Sequence, residues 1–173
     1  MLILLCLTSF AFTQAQEKEV GLSNKNEVKG NGLFLVLGAV EFTYERILTE
    51  DSSVGASLFF AEKSDFDTNF SFTPYYRAYF GKKTASGFFF EGFGMLNIGE
   101  NGNYSEYDSV NGVYYDVEGT KFTDFALGFG LGSKWVHRSG FVFEINAGIG
   151  RNLFDENSPE VVGRGGVTLG YRF

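Results

Sequence analysis

The sequence predicts an all-β protein, an eight-stranded antiparallel transmembrane β-barrel, and three observations carry that expectation. The 173 residues hold 23 Gly, 21 Phe and 9 Tyr against 2 Pro, with an aromatic share of 18%. From Asn26 onward apolar residues recur with a period near two, the spacing of side chains on one face of a strand. Beyond the first stretch, no run supplies the roughly 18 uninterrupted apolar residues of a membrane-crossing helix, so a chain rich in outward rings would cross with strands.

Eight segments follow from the alternation and the polar clusters that interrupt it: Glu27 to Val36, Ala39 to Leu48, Ser53 to Glu62, Asn69 to Gly81, Gly87 to Asn97, Phe122 to His137, Gly140 to Asn152 and Val162 to Phe173. The last shows the pattern plainly, with Val167, Leu169, Tyr171 and Phe173 on one face and Thr168, Gly170 and Arg172 on the other. In the seventh, Phe141, Phe143, Ile145, Ala147 and Ile149 oppose Val142, Glu144, Asn146, Gly148 and Gly150. An antiparallel sandwich would show the same alternation, so the connections help to choose. Those after the second, fourth and sixth segments are short; those after the third, fifth and seventh are longer, the pattern of periplasmic turns facing extracellular loops. The first connection, near Leu37 and Gly38, is tight where a long one is expected.

Before the barrel, residues 1–15 read as a secretory signal peptide: an apolar, uncharged stretch runs from Met1 to Phe12 into Thr13-Gln14-Ala15. Residues 16–26 form a short polar segment, and residues 27–173 the barrel. Cys6 lies in the leader, so the mature chain would carry no thiol. A formal net charge of -7 argues against a nucleic-acid partner, which would need a basic face.

With the apolar face outward, the other face fills the interior. It holds Glu41, Glu45, Arg77, Glu91, Lys134, Glu144 and Arg172, four carboxylates against three cations. Ions removed from water must be paired, and an eight-stranded barrel is only just wide enough for side chains, so a plugged barrel with an internal ion network is expected. Glu144 is expected to pair with Lys134 and Arg172 on the flanking strands. The longest connection, Ile98 to Lys121, carries Glu100, Tyr104, Glu106, Tyr107, Asp108, Tyr114, Tyr115, Asp116 and Glu118 and reads as an extracellular loop, with Asn111-Gly112 as a hairpin turn. No EF-hand spacing occurs in it, and no metal or cofactor is expected.

Signatures of enzymes are weak. The glycines of Gly128-Phe129-Gly130-Leu131-Gly132 alternate within a strand pattern and do not lead into a helix as a phosphate loop would. His137 and Ser139 share a face and resemble the His-x-Ser arrangement of outer-membrane lipid A deacylases, but they abut a short turn, and no orienting carboxylate lies close along the strand.

These residues resemble a small outer-membrane barrel family common in Bacteroidota and known only as a domain of unknown function. The likeness rests on Glu41-Phe42-Thr43-Tyr44-Glu45-Arg46, Thr73 through Gly81, Gly87 through Gly92, Gly128 through Gly132, Asn146 through Arg151, and Leu169-Gly170-Tyr171-Arg172-Phe173. It implies a place in the Gram-negative outer membrane, and the partners expected there are lipid and lipopolysaccharide, with the chain a monomer. Tyr171 and Phe173 would be the signal read by the outer-membrane insertion machinery. The architecture is similar to barrels of the outer-membrane protein A and X type. The expected role is non-enzymatic, structural or surface-interacting, with a small pore as the alternative and deacylation through His137 and Ser139 as a minor one.

Overall fold

The computed structural model describes residues 24–62, 66–101, 104–108, 112–117 and 119–173. The expected leader, most of the polar N-terminal segment, and Asn111 and Glu118 of the long connection lie outside them. Ten strands and one short helix form: β1 (Asn26–Asn31), α1 (Gly32–Val36), β2 (Ala39–Ile47), β3 (Ser52–Ala61), β4 (Thr68–Tyr79), β5 (Gly87–Asn101), β6 (Tyr104–Asp108), β7 (Val113–Val117), β8 (Thr120–Val136), β9 (Phe141–Asn152) and β10 (Val161–Arg172).

Eight of the strands close into an antiparallel barrel in the order β1-β10-β9-β8-β5-β4-β3-β2, while β6 and β7 pair only with each other. That hairpin occupies the long connection, for which the sequence suggests an extracellular loop turning at Asn111-Gly112, and Gly112 has φ +68. Both chain ends of the barrel sit together. The Phe173 amide donates to Asn26 O at 2.8 Å and the Asn26 amide to Phe173 O at 3.0 Å, so the C-terminal residues close the seam between the first and last strands.

The first segment departs from expectation. It was read as one strand to Val36, but β1 stops at Asn31 and the chain turns into α1. Residues 33–37 are five consecutive apolar side chains, which cannot alternate between faces, and Asn31 caps the helix by accepting from the Leu33 and Phe34 amides at 3.2 and 3.5 Å. Gly38, with φ +86, releases the chain into β2. Because β1 is short, its pairing with β10 ends at Asn31↔Thr168, leaving the stretch of β10 from Val161 to Val167 beside α1.

The inner positions are mostly polar, aromatic or glycine, with a few aliphatic residues such as Ile47, Met95, Val142 and Val162. Inward glycines of β8 and β9 make room for inward phenylalanines of β5: a Cβ at Gly128 would collide with the Phe93 ring, and one at Gly132 would come within 2.6 Å of Phe89. Outward positions carry large apolar groups, among them Phe42, Phe90, Phe129 and Trp135, each about half exposed.

The expectation of a transmembrane class is corrected here. The fold is an eight-stranded closed antiparallel barrel whose core is a dense network of buried salt bridges, and that network accounts for the polar half of the alternation on which the membrane assignment had leaned. The outer-membrane location expected with it, the contacts with lipid and lipopolysaccharide, the insertion machinery as partner, and the structural or surface-interaction role are withdrawn on the same finding. The deacylase alternative, which needed that membrane placement, is withdrawn with them. No helix among the described residues is long and apolar enough to cross a membrane, a statement that does not bear on strands.

Candidate functional site

The barrel has a turn end, where the short connections 48–51, 80–86 and 137–140 lie beside Asn26 and Phe173, and a loop end, where α1, residues 66–67 and residues 153–160 lie.

At the turn end the interior is solid. Glu45 is its hub: Oε1 accepts from Lys134 Nζ at 2.6 Å and Tyr79 Oη at 2.7 Å. Its Oε2 accepts from Lys29 Nζ at 2.6 Å and from Arg77 Nη1 and Tyr75 Oη, both at 2.9 Å. Burial alone would raise this carboxyl's pKa, but Lys134, Lys29 and Arg77 hold it well below the usual range. Glu144 accepts from Lys29 and Arg77, each at 2.8 Å, and its pKa is lowered to about 2 as these cations overcome burial. Glu91 accepts from Arg77 Nε at 2.6 Å, and the Arg77 guanidinium lies over the Phe89 and Tyr75 rings at 4.2 and 4.4 Å. Lys134 also reaches Glu27, at 2.9 Å. Arg172 pairs with Glu27 at 2.6 Å and donates to the Thr84 and Ala85 carbonyls, folding the turn at 80–86 across the barrel end. Ala85 is fully buried there with φ +41, a left-handed conformation held by that closure and by its amide's bond to Glu50 O.

Of the seven interior residues read from sequence, Glu45, Arg77, Glu91, Lys134, Glu144 and Arg172 meet at this end. Glu41 lies apart, near the loop end. The expected partners of Glu144 are corrected. Lys134 is its backbone neighbour across β8 and β9, yet the Lys134 ammonium goes to Glu27 and Glu45, and Arg172 goes to Glu27. Long inward side chains in a narrow barrel meet near the axis, so partners lie across the barrel as well as on the next strand. Sequence reasoning missed Glu27, Lys29 and Arg164. All three were in phase: Glu27 and Lys29 share a face of the first segment, and Arg164 is an even number of residues from Arg172. With them the connected ion network holds five carboxylates, Glu27, Glu41, Glu45, Glu91 and Glu144, against five cations, Lys29, Arg77, Lys134, Arg164 and Arg172, while Glu100 and Asp124 are buried outside it. The excess carboxylate of the sequence-derived set was itself a signal that a cation had been overlooked.

At the loop end the interior is hollow. A cavity of about 490 Å³ lies between α1, β2, β3, β4, β5 and β10. Phe34 of α1, Phe59 of β3 and Phe66 form an aromatic wall, with centroids 5.0 to 6.1 Å apart in edge-to-face contact, and Met95 and Val162 extend the apolar lining. The polar part of the lining is Arg164, Glu41, Asp67, Thr68, Ser71 and Thr73. Arg164 has a side chain only 6% exposed; its Nε lies 2.8 Å from Glu91 Oε1 and its Nη2 donates to Ser57 Oγ at 3.1 Å. Its guanidinium carbon sits 5.0 Å from the centroid of Tyr75, so the inner end of the cavity rests on the ion network. Asn31 fastens the adjacent seam by donating to Glu41 Oε2 at 2.7 Å and Gly165 O at 3.1 Å, and a side chain at Gly166 would collide with its amide.

The wall near Pro159 and Val161 is anchored by Asp124, also unnoticed in the sequence. Its carboxylate accepts from the amides of Phe154 and Asp155 at 3.0 Å and from Ser158 Oγ at 2.6 Å. Burial opposes ionisation, but these bonds bring its pKa down to about 2. Asn152 adds a bond to Pro159 O at 2.8 Å.

The remaining sequence candidates lie outside both regions. Glu100 is buried at the end of β5, 3.8 Å from Lys121. Tyr107 and Tyr114 face each other across the hairpin with centroids 4.9 Å apart, and both are exposed. Tyr104, Glu106 and Asp108 fall on β6, and Tyr115 and Asp116 on β7. His137 Nδ1 and Ser139 Oγ are 2.8 Å apart on an exposed turn, and the same nitrogen accepts the Ser139 amide at 3.3 Å, so the pair braces the turn between β8 and β9. Tyr171 and Phe173 are half exposed at the strand seam.

Fold and site together define an eight-stranded β-barrel sealed at one end by ion pairs and hollow at the other. Comparison with protein-family models, curated proteins and solved structures gives no match.

Proposed function

We propose that the barrel is a binding protein for one small, mainly apolar molecule, held in the loop-end cavity. The observation that carries this reading is a space of about 490 Å³ with an aromatic wall and a few convergent polar groups. That combination in the mouth of a barrel is the usual form of a small-molecule site, within the roughly 300 to 1,000 Å³ such sites occupy. An eight-stranded barrel has room either for its own side chains or for one small ligand. This one fills its turn end with side chains, so the cavity is a blind cup and a conduit is not part of the reading. Binding, not covalent chemistry, is the proposed role.

Titration with the neutral dye N-phenyl-1-naphthylamine tests it. One saturable site per chain is expected, weakened at least about tenfold, or 1.4 kcal/mol, by Ser71→Phe, which places a ring in the cavity. Equal dye binding by both proteins would locate the dye elsewhere and overturn the reading.

A further inference from the structure

The polar end of the cavity carries more information than its volume. Arg164 and Glu41 approach each other there without closing: Arg164 Nη1 and Glu41 Oε1 are 3.9 Å apart, an ion-pair distance too long for a hydrogen bond. The other ion pairs of the network are between 2.6 and 2.9 Å except Lys29 with Glu27, at 3.7 Å, and both of those residues have a closer partner elsewhere. The gap is not forced by lack of other anchors. Arg164 is held through Nε beside Glu91 and through Nη2 on Ser57, and Glu41 is held through Oε2 by Asn31. Arg164 Nη1 and Glu41 Oε1 therefore stand opposite each other without a hydrogen bond between them, and both residues line the cavity.

We infer that this open pair recognises a neutral hydroxyl group at the end of the apolar ligand, an inference that rests on the cavity reading above. A hydroxyl is donor and acceptor at one atom. Its proton is donated to Glu41 Oε1 while its oxygen accepts from Arg164 Nη1, so one group completes both. A carboxylate is disfavoured: Arg164 already faces Glu91 and Glu41, the five cations of the ion network are matched by its five carboxylates, and Asp67 also lines the cavity, so an anionic head would bring an unpaired negative charge beside other carboxylates. An ammonium would face the same difficulty with Arg164. A pure hydrocarbon would fill the aromatic wall and leave the pair unbridged.

Three probes of matched shape separate these cases in competition with N-phenyl-1-naphthylamine: naphthalen-1-ylmethanol, naphthalene-1-carboxylate and 1-methylnaphthalene. The wild-type protein should bind the alcohol about tenfold more tightly than either of the others. In Glu41→Gln, which keeps an acceptor for Asn31 but removes one negative charge, the carboxylate should gain about tenfold relative to the alcohol. A wild-type preference for the carboxylate or the hydrocarbon, equal affinity for all three, or no gain of the carboxylate in Glu41→Gln overturns the head-group assignment while leaving the cavity reading in place. Failure of the dye and all three probes to bind the folded wild type overturns both.

Discussion

Glu45 and Arg164 are both inward charged residues of one barrel, and their surroundings differ. Glu45 accepts five hydrogen bonds, from two lysines, one arginine and two tyrosines, and its neighbours leave no space around it. Arg164 is anchored on Glu91 and Ser57 but borders a cavity and stands 3.9 Å from Glu41. The pairing differs only at β1, which stops at Asn31 short of the loop end, and along the other strands the difference comes from what each sends inward. Arg77, Lys134, Tyr79 and Phe89 are long enough to meet at the axis of the turn end. Ser71, Thr73 and Gly165 at the loop end are not. Where short residues face one another, the eight-stranded cross-section stays open.

The largest expected effect breaks the filled end. Glu45→Ala leaves Lys29, Arg77 and Lys134 short of a buried partner, and a loss on the order of 3 to 5 kcal/mol is expected from denaturant unfolding. The control is Glu160→Ala, which removes an ion pair with Arg151 in which both side chains are more than 70% exposed; it should cost less than about 1 kcal/mol. Equal losses would mean that the buried network contributes no more than a surface pair.

Acid sharpens the same contrast. The folded pKa of Glu144 is depressed from 4.5 to about 2, and that of Glu45 is depressed as well. A depressed carboxyl contributes stability that is complete above its unfolded value and lost as pH falls through the folded one. For Glu144 that window runs from about pH 4.5 down to about 2, with a loss on the order of 3 kcal/mol. Unfolding midpoints measured across it should fall steeply in the wild type and less steeply in Glu144→Gln. Two lysines divide at the alkaline side: carboxylates raise the pKa of Lys29 against the effect of burial, whereas burial wins at Lys134 and lowers it. Lys29 therefore supports the fold until pH rises past its ordinary range, whereas the cost of keeping buried Lys134 charged acts below its lowered pKa and is relieved as pH rises from there to the ordinary lysine value. A flat acid profile would show that Glu144 is solvated in solution.

How much of this the sequence disclosed follows from what a period of two can encode. It says which way a residue points, so the inward set and seven of the eight barrel strands were legible to within a few residues. Arg164 and Lys29 were equally legible and were missed only because the alternation was not followed to the ends of their segments. Which inward residues touch is another matter. Glu144 meets Lys29 and Arg77 across the barrel, and neither strand neighbour sends its charge there. The cavity was invisible for the same reason, since Phe34, Phe59, Phe66 and Arg164 come from four separate stretches that converge only on closure. The transmembrane class failed at a different point, because it was drawn from outward composition and connection lengths, while the feature that defines this core lies inward.

The smallest expected effect comes from making one substitution at both ends. Ser53 is fully buried at the turn end, beside Tyr79 Oη at 3.4 Å and at the level of Arg77 in the register of β3 with β4. Ser71 is nearly as buried but lines the cavity. A phenylalanine at position 53 must push the Arg77 and Tyr79 side chains out of a packed arrangement, and overpacking of this kind typically costs about 1 to 3 kcal/mol. The same ring at position 71 has space to enter and apolar neighbours in Phe59 and Met95, so its effect should lie within about 1 kcal/mol of zero and is expected to be stabilising. Unfolding free energies of Ser53→Phe and Ser71→Phe, measured side by side, give the difference directly. Burial fraction alone would rank the two sites together. If Ser71→Phe proves as costly as Ser53→Phe, the loop end is packed in solution, and the contrast between the two ends goes with it.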